Sequence, residues 1–232
     1  SLVGNAHIQY HSALEGYPFT EGDPNWRKAS MERRNSPTDI NYRPEGNGNI
    51  AYDNANMKGV QIRQPFTGDG GENTIVLHVS TERFQNIVLR FAAKDEGAAD
   101  ALIVDYSTTE GTPQWTSNGL NTSTLPLSNA YQLFEINFSD IEEVSNNSHF
   151  KIRIRFAGEN MAADEGNRVT FNNISIDGVS LEAYTIAATT GAYGSINPHG
   201  NIGVYHGVDQ PFIIIPDEGY AIKNVTIDGE DA

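Results

Sequence analysis

Apolar and polar residues alternate without a fault from Phe150 to Phe156. Phe150, Ile152, Ile154 and Phe156 fall on one side and Lys151, Arg153 and Arg155 on the other. A period of two predicts a β-strand with one face in a core and three cations in a row on the opposite face. Similar segments recur at a spacing of roughly ten to fifteen residues, as expected of a sandwich or barrel. Gly59–Arg63 is the first clear one, and a glycine-rich turn, Thr67–Gly71, separates it from Thr74–Val79. Phe84–Ala93 is expected to bury Ile87, Leu89 and Phe91 and to show Val88 and Arg90. Ala101–Tyr106 puts Leu102, Val104 and Tyr106 inside and Asp105 outside, and Tyr131–Phe138 puts Phe134, Ile136 and Phe138 inside and Glu135 and Asn137 outside. Across Arg168–Leu181 the parity of Val169 and Phe171 disagrees with that of Ile174 and Ile176, which one extra residue near Asn172-Asn173, a β-bulge, would repair.

The first 50 residues are less periodic. They read as an opening strand around Ala6–His11, then a long polar excursion holding Trp26-Arg27-Lys28 and Arg33-Arg34, with loop and a short strand across Tyr42–Tyr52. From about Tyr184 the character changes, and glycines separate Thr189–Gly194 from Pro211–Pro216. A domain boundary is therefore expected near Glu182-Ala183. With 232 residues, frequent Gly and Pro and no helical periodicity, the chain reads as all-β.

The formal charge of −15 argues against nucleic acid or an anionic membrane as the main partner, since both are held through clustered Lys and Arg. No cysteine is present, which excludes a disulfide framework, a thiolate metal site and a cysteine nucleophile. No apolar run is long enough to span a bilayer, so membrane insertion is not expected. Nor does a charged and apolar leader open the sequence; a mature chain would read the same.

Several of these segments together resemble a known family. Asn86–Phe91, Val104-Asp105-Tyr106-Ser107 leading to Trp115, Phe134–Phe138 with Asp140-Ile141, Phe150–Phe156, and Phe171-Asn172-Asn173-Ile174-Ser175-Ile176-Asp177-Gly178 are similar to the jelly-roll β-sandwich modules found in secreted multidomain proteins of polysaccharide-degrading bacteria, akin to carbohydrate-binding modules. The likeness covers residues 74–181. Tyr184-Thr185-Ile186, Gly194-Ser195-Ile196-Asn197-Pro198, Pro216–Tyr220 and Val225–Gly229 resemble part of the divergent internalin B-type repeat of bacterial surface proteins. Together the likenesses imply a jelly-roll β-sandwich over residues 1–183, then a small β-rich repeat domain over 184–232, both within a larger secreted or cell-surface protein. The implied role is non-catalytic binding of a polysaccharide or oligosaccharide. A structural spacer or adhesin module without a glycan ligand is the alternative.

For the ligand, the outward residues Arg63, Arg90, Lys151, Arg153 and Arg155 are candidates to share one sheet surface with Asp105, Glu135 and Asn137. Guanidinium forks and carboxylates supply the paired hydrogen bonds that hydroxyl-rich or acidic sugars need. Cross-strand ion pairing on a solvated face accounts for the same residues. Trp26, in a polar loop, and Trp115 are candidate platforms for sugar rings, with burial as packing the competing reading. His7 and His11 lie four apart, which on a strand separates them by over ~12 Å, so no zinc pair is expected. Asp69 and Glu72 stand in a glycine-containing loop, and the module resemblance adds Asp177, giving a candidate structural Ca²⁺ site; turn chemistry explains the loop residues equally. No serine elbow, glycosidase-type carboxylate pair or phosphate loop is found.

Overall fold

The structure, a computed structural model, describes residues 6–45 and 51–232. The chain divides into two compact units, Ser1–Val179 and Ser180–Ala232. The strands of the first unit are, in order, β1 (His7–His11), β2 (Met31–Asn35), β3 (Lys58–Arg63), β4 (Thr67–Gly68), β5 (Gly71–Glu72), β6 (Thr74–His78), β7 (Phe84–Asp95), β8 (Ala101–Ser107), β9 (Thr124–Pro126), β10 (Gln132–Asn137), β11 (Lys151–Ala157) and β12 (Arg168–Ser180).

They form two five-stranded sheets. The first has the order β1-β6-β11-β8-β9 and the second β10-β7-β12-β3-β2. From β6 to β12 the long strands alternate between the sheets, and every pair with described register is antiparallel. This is the connectivity of a jelly-roll sandwich.

Alternation explains why the sheets pack. On β7, Ile87, Leu89 and Phe91 are buried while Val88 and Arg90 stay half-exposed; on β11, Ile152 and Ile154 are buried between half-exposed cations. The core is built on aromatics, with Phe66 stacked on Phe156 at 4.3 Å between centroids and Phe138 meeting Phe150 edge-on at 5.1 Å. Burying each such ring contributes about 1.5–3 kcal/mol.

The parity break lies where expected. Val169 and Phe171 are core residues, and Ile174 and Ile176 pack against the same core. Between them Asn173 takes φ 48°, and pairing of β12 with β3 ends at Phe171. The bulge is held by amides: Asn172 Nδ2 donates to Ser36 O at 2.9 Å, and Asn173 Nδ2 to Ile40 O at 2.8 Å. Strand β2, within the stretch expected to be polar excursion, instead forms an edge of the second sheet. The loop and short strand expected over Tyr42–Tyr52 lie partly outside the described residues; on either side of them no strand is formed.

One buried amide ties the N-terminal edge to the sandwich. Asn73, 1% exposed, accepts from Ala13 N and from the Tyr10 hydroxyl, and donates to Arg63 O and Pro65 O. The single proton of the Tyr10 hydroxyl is shared between Asn73 Oδ1 and the nearer Ala29 O at 2.6 Å, and burial raises its pKa well above the ordinary tyrosine value.

The second unit holds three two-stranded pairings: β13 (Ala183–Ala188) with β15 (Gly200–Tyr205), β14 (Gly194–Asn197) with β16 (Ile213–Pro216), and β17 (Thr226–Ile227) with β18 (Glu230–Asp231). Its rings Tyr193 and Tyr220 stack at 4.3 Å. Ile213, Ile215 and Ile227 are exposed, and among the described residues Ala188 is this unit's buried apolar side chain.

Candidate functional site

Residues opposite one another in an antiparallel sheet point to the same face. On the first sheet the register aligns His7, His78, Lys151 and Ser107 in one row, and Gln9, Val76, Arg153 and Asp105 in the next. These rows lie on the face turned away from the core, with Lys151 in the first, Arg153 in the second and Arg155 one row further, opposite Ile103.

Asp105 organises this face. It is 6% exposed, receives Arg153 Nε at 2.8 Å and Nη2 at 2.6 Å, and receives Arg155 Nη2 at 3.2 Å. Arg155 also reaches Glu72 at 3.8 Å. The bidentate fork fixes the plane of the Arg153 guanidinium, which lies 4.4 Å from the ring centroid of Trp115.

Trp115 is placed by the backbone around it. Tyr106 and Thr116 exchange N–H···O bonds at 2.9 Å, the Tyr106 hydroxyl donates to Asn118 O at 2.9 Å, and Gln114 N donates to Ser107 Oγ at 3.1 Å. Because Tyr106 and its partner Thr116 point inward, the neighbouring Trp115 turns outward onto Arg153. The indole is half-buried, neither a core residue nor a free platform.

At the other end of the face His7 stacks on His78 with centroids 4.2 Å apart, and His78 Nε2 donates to Gln9 Oε1 at 3.0 Å. Lys151 Nζ donates to Thr109 O at 3.3 Å and His149 O at 3.2 Å. Burial first, then the adjoining His7, Lys151 and His11, hold the His78 pKa below the ordinary histidine value. A cleft of about 400 Å³ opens here, lined by His7, His78, Ser80, Ser148, His149 and Lys151 among others.

The other candidates lie elsewhere. Arg63 is on β3 and Arg90 on β7, both in the second sheet, so the expectation that they share a surface with the β11 row is corrected. Alternation tells inside from outside but is silent on which sheet a strand joins. Arg90 donates to Glu135 at 2.6 Å and to Asp177 at 3.0 Å, and its pKa is raised chiefly by the hydrogen bond to Glu135. Asp177 also holds Arg43 at 2.6 Å beside a groove of about 1030 Å³ on this unit. Trp26 is exposed on the loop between β1 and β2, with the Arg27 guanidinium 5.8 Å from its ring.

The expected calcium set is not brought together. Asp177 is engaged by two arginines on the second sheet, Glu72 faces Arg155 on the first, and Asp69 Oδ1 accepts from Glu15 N at 3.1 Å. Among the described residues no three His, Asp or Glu side chains converge as a metal site. Of the loop's glycines, Gly70 serves packing, since a Cβ there would stand 2.7 Å from Glu15 N, where Gly70 N donates to Ala13 O, and Gly71 serves the turn with φ 104°.

No protein-family model matches the chain, and no curated protein matches it, so the internalin B-type repeat expected over residues 184–229 finds no support. Solved structures do resemble it. The enzymatically active domain of bacteriophage CBA120 tailspike protein 4 is 8% identical over 75% of this chain, with TM-score 0.42, and the match spans 19% of that chain. TmCBM61, solved with β-1,4-galactotriose, is 9% identical over 75% of this chain and 89% of its own, with TM-score 0.38. The CBM22-1 xylan-binding domain from Paenibacillus barcinonensis Xyn10C is 11% identical over 76% of this chain and 97% of its own, with TM-score 0.30.

Proposed function

We propose that the sandwich unit is a non-catalytic polysaccharide-binding module of a secreted or cell-surface protein, and that it binds across the outward face of the first sheet. The observation that carries this reading is the assembly of Trp115, Arg153 and Asp105. A pyranose presents flat C–H faces and rim hydroxyls, so it is matched by an aromatic edge beside fixed hydrogen-bond donors and acceptors. Here the donors are set before any ligand arrives: Asp105 holds both Arg153 and Arg155, and Trp115 backs Arg153. Preorganised side chains lose little rotamer freedom on binding, which favours affinity on a shallow surface. Lys151 extends the same row, and Trp26 on its exposed loop is a candidate outer contact.

Glycan-array screening followed by affinity gels tests the proposal. Trp115→Ala and Arg153→Ala with Arg155→Ala should each weaken retention about tenfold or more, the loss of one to two charge-assisted hydrogen bonds or a stacking contact. Asp177→Asn, on the second sheet, should leave retention intact. If the parent chain retains a glycan and the arginine variant retains it equally, the row is not the site. Absence of retention across a broad panel, with unaltered thermal stability, favours the spacer or adhesin reading.

A further inference from the structure

Cation-rich as it is, the face is not uniform. Moving from Arg153 to Lys151 is a step of two residues along β11, about 7 Å, and it leads away from the two carboxylates that pair with the arginines. Asp105 is already committed to two guanidiniums, and Glu72 lies towards Arg155. At the Lys151 end, the described residues lining the cleft include three imidazoles, one ammonium and two serines, and no carboxylate. In a chain of net charge −15 this is a local reversal of sign.

We propose that this cleft is an anion subsite, and that the polysaccharide bound on the face carries carboxylate or sulfate groups. The proposal rests on the polysaccharide reading of the same face and names its ligand class. Three features favour an anion over a metal ion. The imidazoles do not converge as ligands. His78 Nε2 is spent on Gln9. Lys151 sits in the same register row as His7 and His78, where its charge would repel a cation. Lys151 Nζ has two of its three N–H groups on backbone carbonyls, Thr109 O and His149 O, which fixes the ammonium at the cleft wall with one N–H left to donate.

Protonation couples to such a ligand with a definite sign. The groups facing His78 are His7 and His11 from β1 and Lys151 from β11, all of them cationic or protonatable; burial first, and these groups after it, keep its proton off. An anion reverses that balance, so binding takes up protons and affinity rises as pH falls through the histidine range. One pKa unit added to one histidine corresponds to about a tenfold difference in affinity between the two protonation limits.

Two measurements test this. In the first, inorganic sulfate is titrated while the imidazole resonances of the full chain are followed by NMR across pH 5–8. The His78 pKa should rise by about one unit in saturating sulfate, and Lys151→Gln should remove most of the rise. Unmoved histidines overturn the anion subsite whatever glycan is bound. The second is affinity electrophoresis on matched polymers, polygalacturonate against its methyl ester and dextran sulfate against dextran, at pH 5.5 and 8.0. Preferential retention of an acidic member, about tenfold stronger at pH 5.5 and flattened in His78→Gln with His149→Gln, supports the proposal. Which pair shows it distinguishes carboxylate from sulfate. Equal retention of charged and neutral members overturns the proposal and leaves the polysaccharide reading standing. Sulfate binding without retention of any polysaccharide, here or on the array, overturns both and leaves a site for small anions only.

Discussion

Asp105→Ala isolates what one enclosed carboxylate does for the outward face. Asp105 accepts three N–H groups at 2.8, 2.6 and 3.2 Å from two guanidiniums whose side chains are 23% and 31% exposed. Removing one partner of a fully buried ion pair costs about 3–5 kcal/mol, whereas an exposed pair is worth about 0–1 kcal/mol. Here the acid is enclosed and the arginines remain part-solvated, so the expected loss is about 2–3 kcal/mol. For a unit of this size that lowers Tm by about 4–12 °C. Tryptophan fluorescence during urea unfolding is a clean readout, because both tryptophans, Trp26 and Trp115, lie in the sandwich unit. Asp105→Leu combined with Arg153→Met should recover most of the loss, since an apolar pair of similar volume needs no counter-charge. Asp105→Ala within about 0.5 kcal/mol of the parent would refute the reasoning, because the arginine row would then be solvated rather than anchored.

Asn73→Leu should destabilise the sandwich by about 3 kcal/mol in the same assay, because it orphans donors and acceptors of two chain segments, Tyr10–Ala13 and Arg63–Pro65. Gly70→Ala should cost about 1–3 kcal/mol by driving a methyl group into the backbone of Leu14 and Glu15; an unchanged midpoint would show that the hairpin can shift aside. EDTA added to the protein in calcium buffer should leave Tm unchanged, and a drop of several degrees would restore a calcium site. The depressed His78 pKa means that the unfolded imidazole is protonated first as pH falls. Stability should therefore decline on acidification below about 6.5, and His78→Gln should flatten that limb of a Tm-against-pH curve.

The strands with one wet and one dry face were legible because their alternation is a direct image of burial. Ile87, Leu89 and Phe91 lie inward as read, and the fault between Phe171 and Ile174 marked a real bulge. Strands without that contrast were silent. In β2, Met31–Asn35, no residue is buried, and β9 is a three-residue edge ending in Pro126. Of the candidate site, the cationic row of β11 was visible, but its partners were not. The placing of Arg90 with Asp177, and of His7 beside His78, depends on pairing between residues about seventy or more positions apart. Asp105 was expected outside and does lie on the outer face, yet Arg153 and Arg155 close over it. The Asp-Gly loop was ambiguous because tight backbone packing and calcium binding select the same residues.

The alternation of strands between sheets also sets a schedule. The first sheet gains its centre only when β11 arrives to join β6 and β8, and in the second sheet β3 meets β12 through Arg63 and Arg168, residues more than a hundred positions apart. During synthesis the first sheet cannot close until β11 has emerged at Ala157, nor the second until the chain has passed Arg168. The apolar faces of β6, β7 and β8 must wait uncovered for that time, and such non-local pairing folds in milliseconds to seconds. A chain released before Arg168 therefore carries half a core with nothing to shut it, which makes β12 the clasp on which its solubility depends.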